Sequence, residues 1–443
     1  MERIIITGAG SEMQGVGRLP DGRAVFVHGA LPGEEVEIEI TKDAARFCEA
    51  RLVRIVQASP ERTQPSCPHY GDCGGCSARH MHYESSLHLK RQRVYDALAR
   101  IGGVSNPTVL ETIGCDQPER CRNKAEYAVS FRDGRLIIGS FAARSRRIIP
   151  LDDCLLQHEE SIALLRWARK ELAESSCAAH IRFIVTRVNR QGEMLAVLCG
   201  DAPVQDAVRQ LASGMFATLP ALKSLYFCKL SFRPAHALDG VCSHIAGSRT
   251  MFDTLLDLSF ELSPQSFFQV NPIQAERLYL KALEAAGLTE NCEKRILDAY
   301  CGAGTITLAA ARLAQHALGV EIVPPAIENA KQNAKRNGLD KKARFICADA
   351  AKEIPRLIAR GERFDAAIID PPRKGADAAL IHALADARIE RISYVSCNPS
   401  TLARDVKLLQ ERGYRLEWAQ PVDMFPWTEH VETAACLVKE DRI

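Results

Sequence analysis

Polar and apolar residues alternate with period two near the start of the chain, in Arg23-Ala24-Val25-Phe26-Val27 and again in Glu35-Val36-Glu37-Ile38-Glu39-Ile40. A third such run covers Phe47 to Val56, and a turn from His28 to Gly33 separates the first two. Short alternating runs joined by glycine-rich turns predict a small antiparallel, OB-like β-barrel over residues 1–58. Tyr83 to Ala99 reads as a helix carrying Lys90, Arg91 and Arg93. Residues 120 to about 255 mix strands and helices without a sharp signal, and 59–255 as a whole are expected to form a central α+β domain. From about 256 to 443, apolar strands alternate with helical stretches, the pattern of a parallel sheet covered on both faces. The predicted fold class is therefore α/β, with three domains and no internal repeat.

Composition narrows this picture. Hydrophobic residues make up 47% and charged residues 25% of 443, as in a globular protein with real cores. No run of about 18 apolar residues occurs, and the start, Met1-Glu2-Arg3-Ile4, lacks a signal-peptide pattern, so a cytoplasmic protein without a membrane partner is expected. Sixteen cysteines in such a chain point to reduced thiols, a metal site or a catalytic thiol rather than a disulfide framework. The net charge is only +2, yet residues 120–150 hold eight cations (Arg120, Arg122, Lys124, Arg132, Arg135, Arg144, Arg146, Arg147) against two anions. That segment is either a solvated basic face or a surface for a polyanion.

The strand Lys294 to Tyr300 runs into Cys301-Gly302-Ala303-Gly304, and Thr305 opens an apolar helix. Glycines here let the backbone approach a ligand, but the third glycine of a dinucleotide fingerprint is absent. Glu321 ends the next strand, about 20 residues on, where a carboxylate suits two ribose hydroxyls. Asp349 and Asp370 end the two strands that follow. Acidic groups converging above a doubly wound sheet fit S-adenosylmethionine, a nucleoside cofactor without phosphates, better than a nicotinamide. Each carboxylate taken singly could be a helix cap.

Cys397 follows the strand Arg391 to Ser396, with Asn398 as N-cap and Pro399 at the first helical position. The positive end of a helix dipole there favours thiolate. A thiolate is what methylation at C5 of uracil requires, because addition to C6 makes C5 nucleophilic. A base must then remove the C5 proton, and Glu432, just before the apolar run Thr433 to Val438, stands at the entrance of the last strand. Elsewhere, Cys67, Cys73 and Cys76 sit within ten residues, with Gly74 and Gly75 to fold the loop. Spacing alone leaves iron–sulfur and zinc open, with His69 a possible fourth zinc ligand.

Four separated motifs carry a resemblance: Ser263-Pro264-Gln265-Ser266-Phe267-Phe268-Gln269-Val270-Asn271, Asp370-Pro371-Pro372-Arg373-Lys374-Gly375, Ser396-Cys397-Asn398-Pro399 and His430-Val431-Glu432-Thr433. In this order they are similar to the RNA uracil-C5 methyltransferases, and residues 1–58 resemble the TRAM domain of those enzymes. The resemblance implies a class I (Rossmann-like) methyltransferase domain with Cys397 as nucleophile and Glu432 as base. It implies Gln269, Tyr300, Glu321 and Asp370 around S-adenosylmethionine, with Asp349 near the adenine and Thr305 lining the site. It further implies Cys154 as the distant fourth ligand of a [4Fe-4S] cluster with Cys67, Cys73 and Cys76. The complete cysteine set leans toward 23S rRNA as substrate, with tRNA the alternative and a monomer expected.

Arg79, Cys121 and Trp427 depart from the family's usual Gln, aromatic and His. Arg373 after Asp-Pro-Pro excludes cytosine-C5 enzymes, which place cysteine there, and amino-group methyltransferases, which want an aromatic residue. The radical methylthiotransferases pair a similar barrel with a C-x3-C-x2-C pattern that is absent here. A non-catalytic RNA-binding protein would need neither Cys397 nor Glu432.

Overall fold

A computed structural model describes residues 1–440, and in it the period-two runs close into a barrel of order β1-β2-β3-β5-β4. Its strands are β1 (Glu2–Ala9), β2 (Gly15–Arg18), β3 (Ala24–His28), β4 (Glu35–Asp43) and β5 (Phe47–Gln57). The apolar phase of each run faces inward: Val25, Val27, Val36 and Ile38 are fully buried. The barrel is not wholly antiparallel as expected, because β5 pairs with β3 in parallel. That pairing closes the sheet and leaves no bare edge. Buried Glu34 accepts from the Leu31 N–H at 2.8 Å and from the Arg62 guanidinium at 2.8 Å, which seats the barrel on the following loop.

The helix α1 (Tyr83–Arg100) precedes a central seven-stranded sheet of order β12-β11-β10-β9-β6-β7-β8. In chain order these are β6 (Lys124–Arg132), β7 (Arg135–Phe141), β8 (Ile148–Pro150), β9 (Ile181–Val188), β10 (Met194–Gly200), β11 (Leu222–Leu230) and β12 (Gly240–Gly247). Helices α2 (Glu159–Trp167) and α3 (Gln205–Thr218) cover one face. Every residue of β10 is buried, and its alternation sorts two cores. Met194, Ala196 and Leu198 join the helix-covered side, while Leu195, Val197 and Cys199 face the C-terminal region.

That region opens with the hairpin β13 (Met251–Leu255) and β14 (Leu258–Leu262) and helix α4 (Pro272–Ala285). Strands β15 (Cys292–Ala299), β16 (Ala314–Glu321), β17 (Ala343–Cys347), β18 (Ala366–Ile369) and β19 (Arg391–Ser396) alternate with α5 (Thr305–Leu313), α6 (Pro324–Arg336), α7 (Ala350–Ala359), α8 (Ala378–Asp386) and α9 (Pro399–Gln410). With β20 (Tyr414–Val422) and β21 (Glu432–Lys439) they form a second sheet, β17-β16-β15-β18-β19-β21-β20. The expected parallel sheet is thus mixed: β15 to β19 run parallel, but β21 is antiparallel to both its neighbours. Only a short loop links β20 to β21, too little chain for the crossover that a parallel return needs. Ile296 and Leu297 bury into opposite cores, so both faces are covered. No helix among the described residues is long and apolar enough to cross a membrane.

Candidate active site

The carboxyl ends of the parallel strands open into a cleft of about 1550 Å³. Gln269, Tyr300, Thr305, Glu321, Asp349, Asp370, Cys397 and Glu432 all line it, so eight residues chosen from sequence meet in one place. Tyr300 follows β15 with φ of +66°, a strained conformation for a non-glycine residue, held by its N–H donating to the Val320 carbonyl at 2.9 Å. Gly304 caps α5 at φ +82°, and a Cβ there would stand 2.9 Å from the Phe345 ring. Only glycine fits that approach.

Glu321 ends β16 with its carboxylate fixed by three backbone donors: Ile322 at 2.8 Å, Val323 at 2.9 Å and Gly302 at 3.2 Å. It faces the cleft as an oriented acceptor. Asp349 caps α7, accepting from the Ala351 N–H at 3.0 Å. It therefore fills a capping role as well as lining the cleft. The Gln269 amide donates to the Tyr279 hydroxyl at 3.3 Å. Burial lifts Asp370 to about 7, so the cleft offers a carboxyl that a bound cation would ionise.

Cys397 sits between β19 and α9, whose N-terminus Asn398 caps by accepting from the Ser400 N–H at 3.1 Å. The expected thiolate is not favoured. Burial and the carboxylates of Glu432 and Asp370 raise the thiol, against a smaller lowering by Arg373. The helix end is too weak to outweigh desolvation and two acidic neighbours. Glu432 opens β21, is 8% exposed, and is lifted to about 8 by burial and by Asp370, again opposed by Arg373. Arg373, which sets this sequence apart from cytosine-C5 and amino-group methyltransferases, also belongs to the site. Here its carbonyl accepts from Asn398 and Thr401 side chains, both at 3.3 Å, tying it to the turn that carries the thiol.

The loop between β20 and β21 is held from the N-terminal half. Lys90, read above as part of a basic helix, is fully buried and donates to Asp423 and to the Phe425 carbonyl at 3.1 Å. Tyr83 donates to the same Asp423 at 2.6 Å. The Trp427 carbonyl accepts from the Ser77 and Ala78 N–H groups at 2.9 and 3.1 Å, and the Arg79 guanidinium lies 5.0 Å from the Trp427 ring. Ser77 also donates to Glu429 at 2.8 Å.

The Ser77, Ala78 and Arg79 contacts come from the loop that bears Cys67, Cys73 and Cys76, and those of Tyr83 and Lys90 from α1. All four predicted ligands are free thiols. Cys76 and Cys154 are raised mainly by burial, with Cys154 adding to the effect on Cys76 and Cys73 to that on Cys154, so these three are neighbours. Among the described residues, however, no three or more His, Cys, Asp or Glu side chains are grouped as a metal ion needs. Arg79 and Arg122 lower the Cys76 thiol, Arg79 also by a hydrogen bond to it, and the buried Nε of Arg122 has no acceptor.

The basic segment divides. Arg132, Arg135, Arg144, Arg146 and Arg147 are exposed, although Arg144 pairs with Glu12 at 2.6 Å. Arg120 instead pairs with Asp153 at 2.7 Å and Glu159 at 2.8 Å, and Lys124 pairs with Glu126 at 2.5 Å.

Residues 251–440 match the family model described as tRNA (uracil-5-)-methyltransferase, and residues 2–53 match the TRAM domain. The chain is 40% identical over 427 residues to an RNA methyltransferase of Halalkalibacterium halodurans, covering 94% of this chain and 92% of the relative. The chain belongs to the RNA uracil-5 methyltransferase family. Another family member, an RNA methyltransferase of Caldanaerobacter subterraneus, is 40% identical over 441 residues, 98% of this chain and 96% of that one. In fold, the tRNA (uracil-54, C5)-methyltransferase of Pyrococcus abyssi, solved with S-adenosyl-L-homocysteine, superposes with a TM-score of 0.77 at 26% identity. That match covers 99% of this chain and all of the other.

Proposed function

We propose that this enzyme transfers a methyl group from S-adenosylmethionine to C5 of a uracil in RNA. The observation that carries the reading is Cys397, Glu432, Arg373 and Asp370 in one cleft with the oriented carboxylate of Glu321. Glu321 accepts from the ribose hydroxyls of the cofactor and Asp349 lies by the adenine. Gln269, Tyr300 and Thr305 line the rest, and Asp370 faces the positive end. The cofactor supplies an electrophilic methyl on a sulfonium.

Cys397 acts first. Its sulfur bonds to C6, and the C5–C6 π pair moves onto the C4 carbonyl as an enolate. C5 then takes the methyl carbon as the methyl–sulfonium bond breaks. Glu432 removes the C5 proton, the double bond re-forms, and Cys397 leaves as thiolate. Burial and Asp370 keep Glu432 mostly protonated near neutrality. A cation seated against Asp370 relieves the repulsion between the two carboxylates, and Arg373 favours the ionised forms of Glu432 and Cys397. The target base must leave its stack to reach Cys397, and Phe267, 74% exposed on the cleft wall, offers a ring for it or a neighbour. The exposed arginines of the 132–147 region hold phosphates, so binding weakens with salt.

RNA containing 5-fluorouracil tests this, because fluorine at C5 cannot leave as a proton. A stable protein–RNA adduct is expected with cofactor, and Cys397→Ala abolishes it. Absence of any adduct favours a non-catalytic RNA-binding protein.

Cys67, Cys73, Cys76 and Cys154 hold a [4Fe-4S] cluster that serves as a structural clip. Two guanidinium groups beside the thiols, with the Arg122 Nε buried and short of an acceptor, suit an anionic group with sulfide acceptors. Iron and acid-labile sulfide in anaerobically purified protein, lost in Cys154→Ser, are expected; stoichiometric zinc rejects the assignment. The complete cysteine set points to 23S rRNA, whereas the likeness to the Pyrococcus abyssi enzyme favours tRNA. Mapping the uridine that loses its methyl group in a deletion strain decides between them.

A further inference from the structure

Three thiols stand side by side across the central sheet. Cys228 on β11 is directly opposite Cys199 of β10 in the parallel pair, and directly opposite Cys242 of β12 in the antiparallel pair. Directly opposed residues in antiparallel strands have Cα atoms roughly 4.5–5.5 Å apart, within the span of about 4.4–6.8 Å that a disulfide bridges. Cys199 and Cys228 are buried, Cys242 is partly open, and all three are free thiols. Strand β12 forms the edge of the sheet, so its backbone has one neighbour rather than two. Cys199 and Cys242 both hydrogen-bond to Cys228, which lowers the Cys228 thiol and raises the other two.

The bland reading is three small apolar residues filling the core that joins this sheet to Leu258, Phe260 and Phe268. Packing alone accounts for burial. It does not account for three sulfurs in register, sharing protons, with the outermost reachable from an edge strand.

We propose that Cys228 and Cys242 form a redox site that a hydroperoxide converts into a cross-strand disulfide. Cys228, the thiol that its two neighbours lower, is the thiolate, and its sulfur attacks the peroxide oxygen. The O–O bond breaks, leaving a sulfenic acid on Cys228 and releasing hydroxide. That hydroxide takes the proton from Cys242, the most open of the three, and becomes water. The Cys242 sulfur then displaces hydroxide from the sulfenic acid and forms the S–S bond. One thiol, one thiolate and one peroxide give one disulfide, one water and one hydroxide; the sulfurs are oxidised and the peroxide reduced. Cys199 stays reduced as a hydrogen-bond donor.

The test uses the full-length protein, reduced and then exposed to hydrogen peroxide, with remaining thiols alkylated after unfolding. Non-reducing digestion and mass spectrometry should find the peptides of Cys228 and Cys242 joined, two hydrogens lighter than their sum. Protein unfolded before oxidation should give several-fold less of that product, and Cys242→Ser none. Circular dichroism establishes that this variant is folded. Cys228 and Cys242 fully alkylated after peroxide, a Cys228–Cys199 link instead, or equal yield from unfolded chain would each overturn the proposal. The outcome does not depend on the methylation reading, since no substrate or cofactor enters the assay.

Discussion

Replacing the proposed base with its neutral isostere, Glu432→Gln, should make the protein more stable while stopping turnover. Burial and Asp370 lift Glu432 from an ordinary 4.5 to about 8. The folded protein therefore holds this proton more tightly than the unfolded chain. Its contribution is fully present below pH 4.5 and is lost as pH rises through 8. A shift of that size corresponds to about 5 kcal/mol above pH 8 and about 3 kcal/mol at pH 7. Glutamine avoids this cost but buries an amide short of partners, which takes back about 1 kcal/mol. The variant should gain about 2 kcal/mol at pH 7, more at pH 8, and little or nothing at pH 5. Because the chain has several cores, the reading should be local: hydrogen exchange of amides in the Glu432–Lys439 strand at the three pH values. A stability difference that stays constant with pH, or a variant less stable at pH 8, refutes the burial argument.

Other outcomes follow from the same geometry. Glu321→Gln should weaken S-adenosylmethionine binding by roughly 10- to 100-fold in calorimetry, since it loses charge-assisted acceptance from the ribose. Lys90→Met should cost about 3–5 kcal/mol in urea unfolding by stranding Asp423, and Lys90→Met with Asp423→Leu should recover most of it. Arg373→Ala should move the acid limb of the kcat/KM profile to higher pH, because the guanidinium lowers both Glu432 and Cys397. An unmoved limb would mean that neither group controls it.

Much of this was legible in the residues themselves. Strand ends announced Glu321, Asp349 and Asp370, and the Asn398-Pro399 helix start placed Cys397 at a turn. What periodicity hid was competition between neighbours distant in the chain. The helix end beside Cys397 is a local feature, while the carboxylates that outweigh it arrive from β18 and β21. Lys90 looked like one of three basic residues on a helix, and only the fold reveals the buried Asp423 opposite it. The reversed strand β21 was equally silent, since an apolar run carries no direction. For the cysteine loop, spacing named three residues but said nothing of Arg79 and Arg122 beside them.

The grip of the front of the molecule on the β20–β21 loop carries a lesson about divisibility. Ser77 reaches a residue 352 positions away, and Trp427, itself at φ +64°, is held through its carbonyl by the neighbouring Ser77 and Ala78 amides. Cutting the polypeptide near residue 250 would leave the whole Rossmann-like half intact on paper yet release the approach to its proposed proton acceptor. Cofactor affinity would survive such surgery far better than turnover, making the two halves partners in chemistry rather than a catalyst with an accessory.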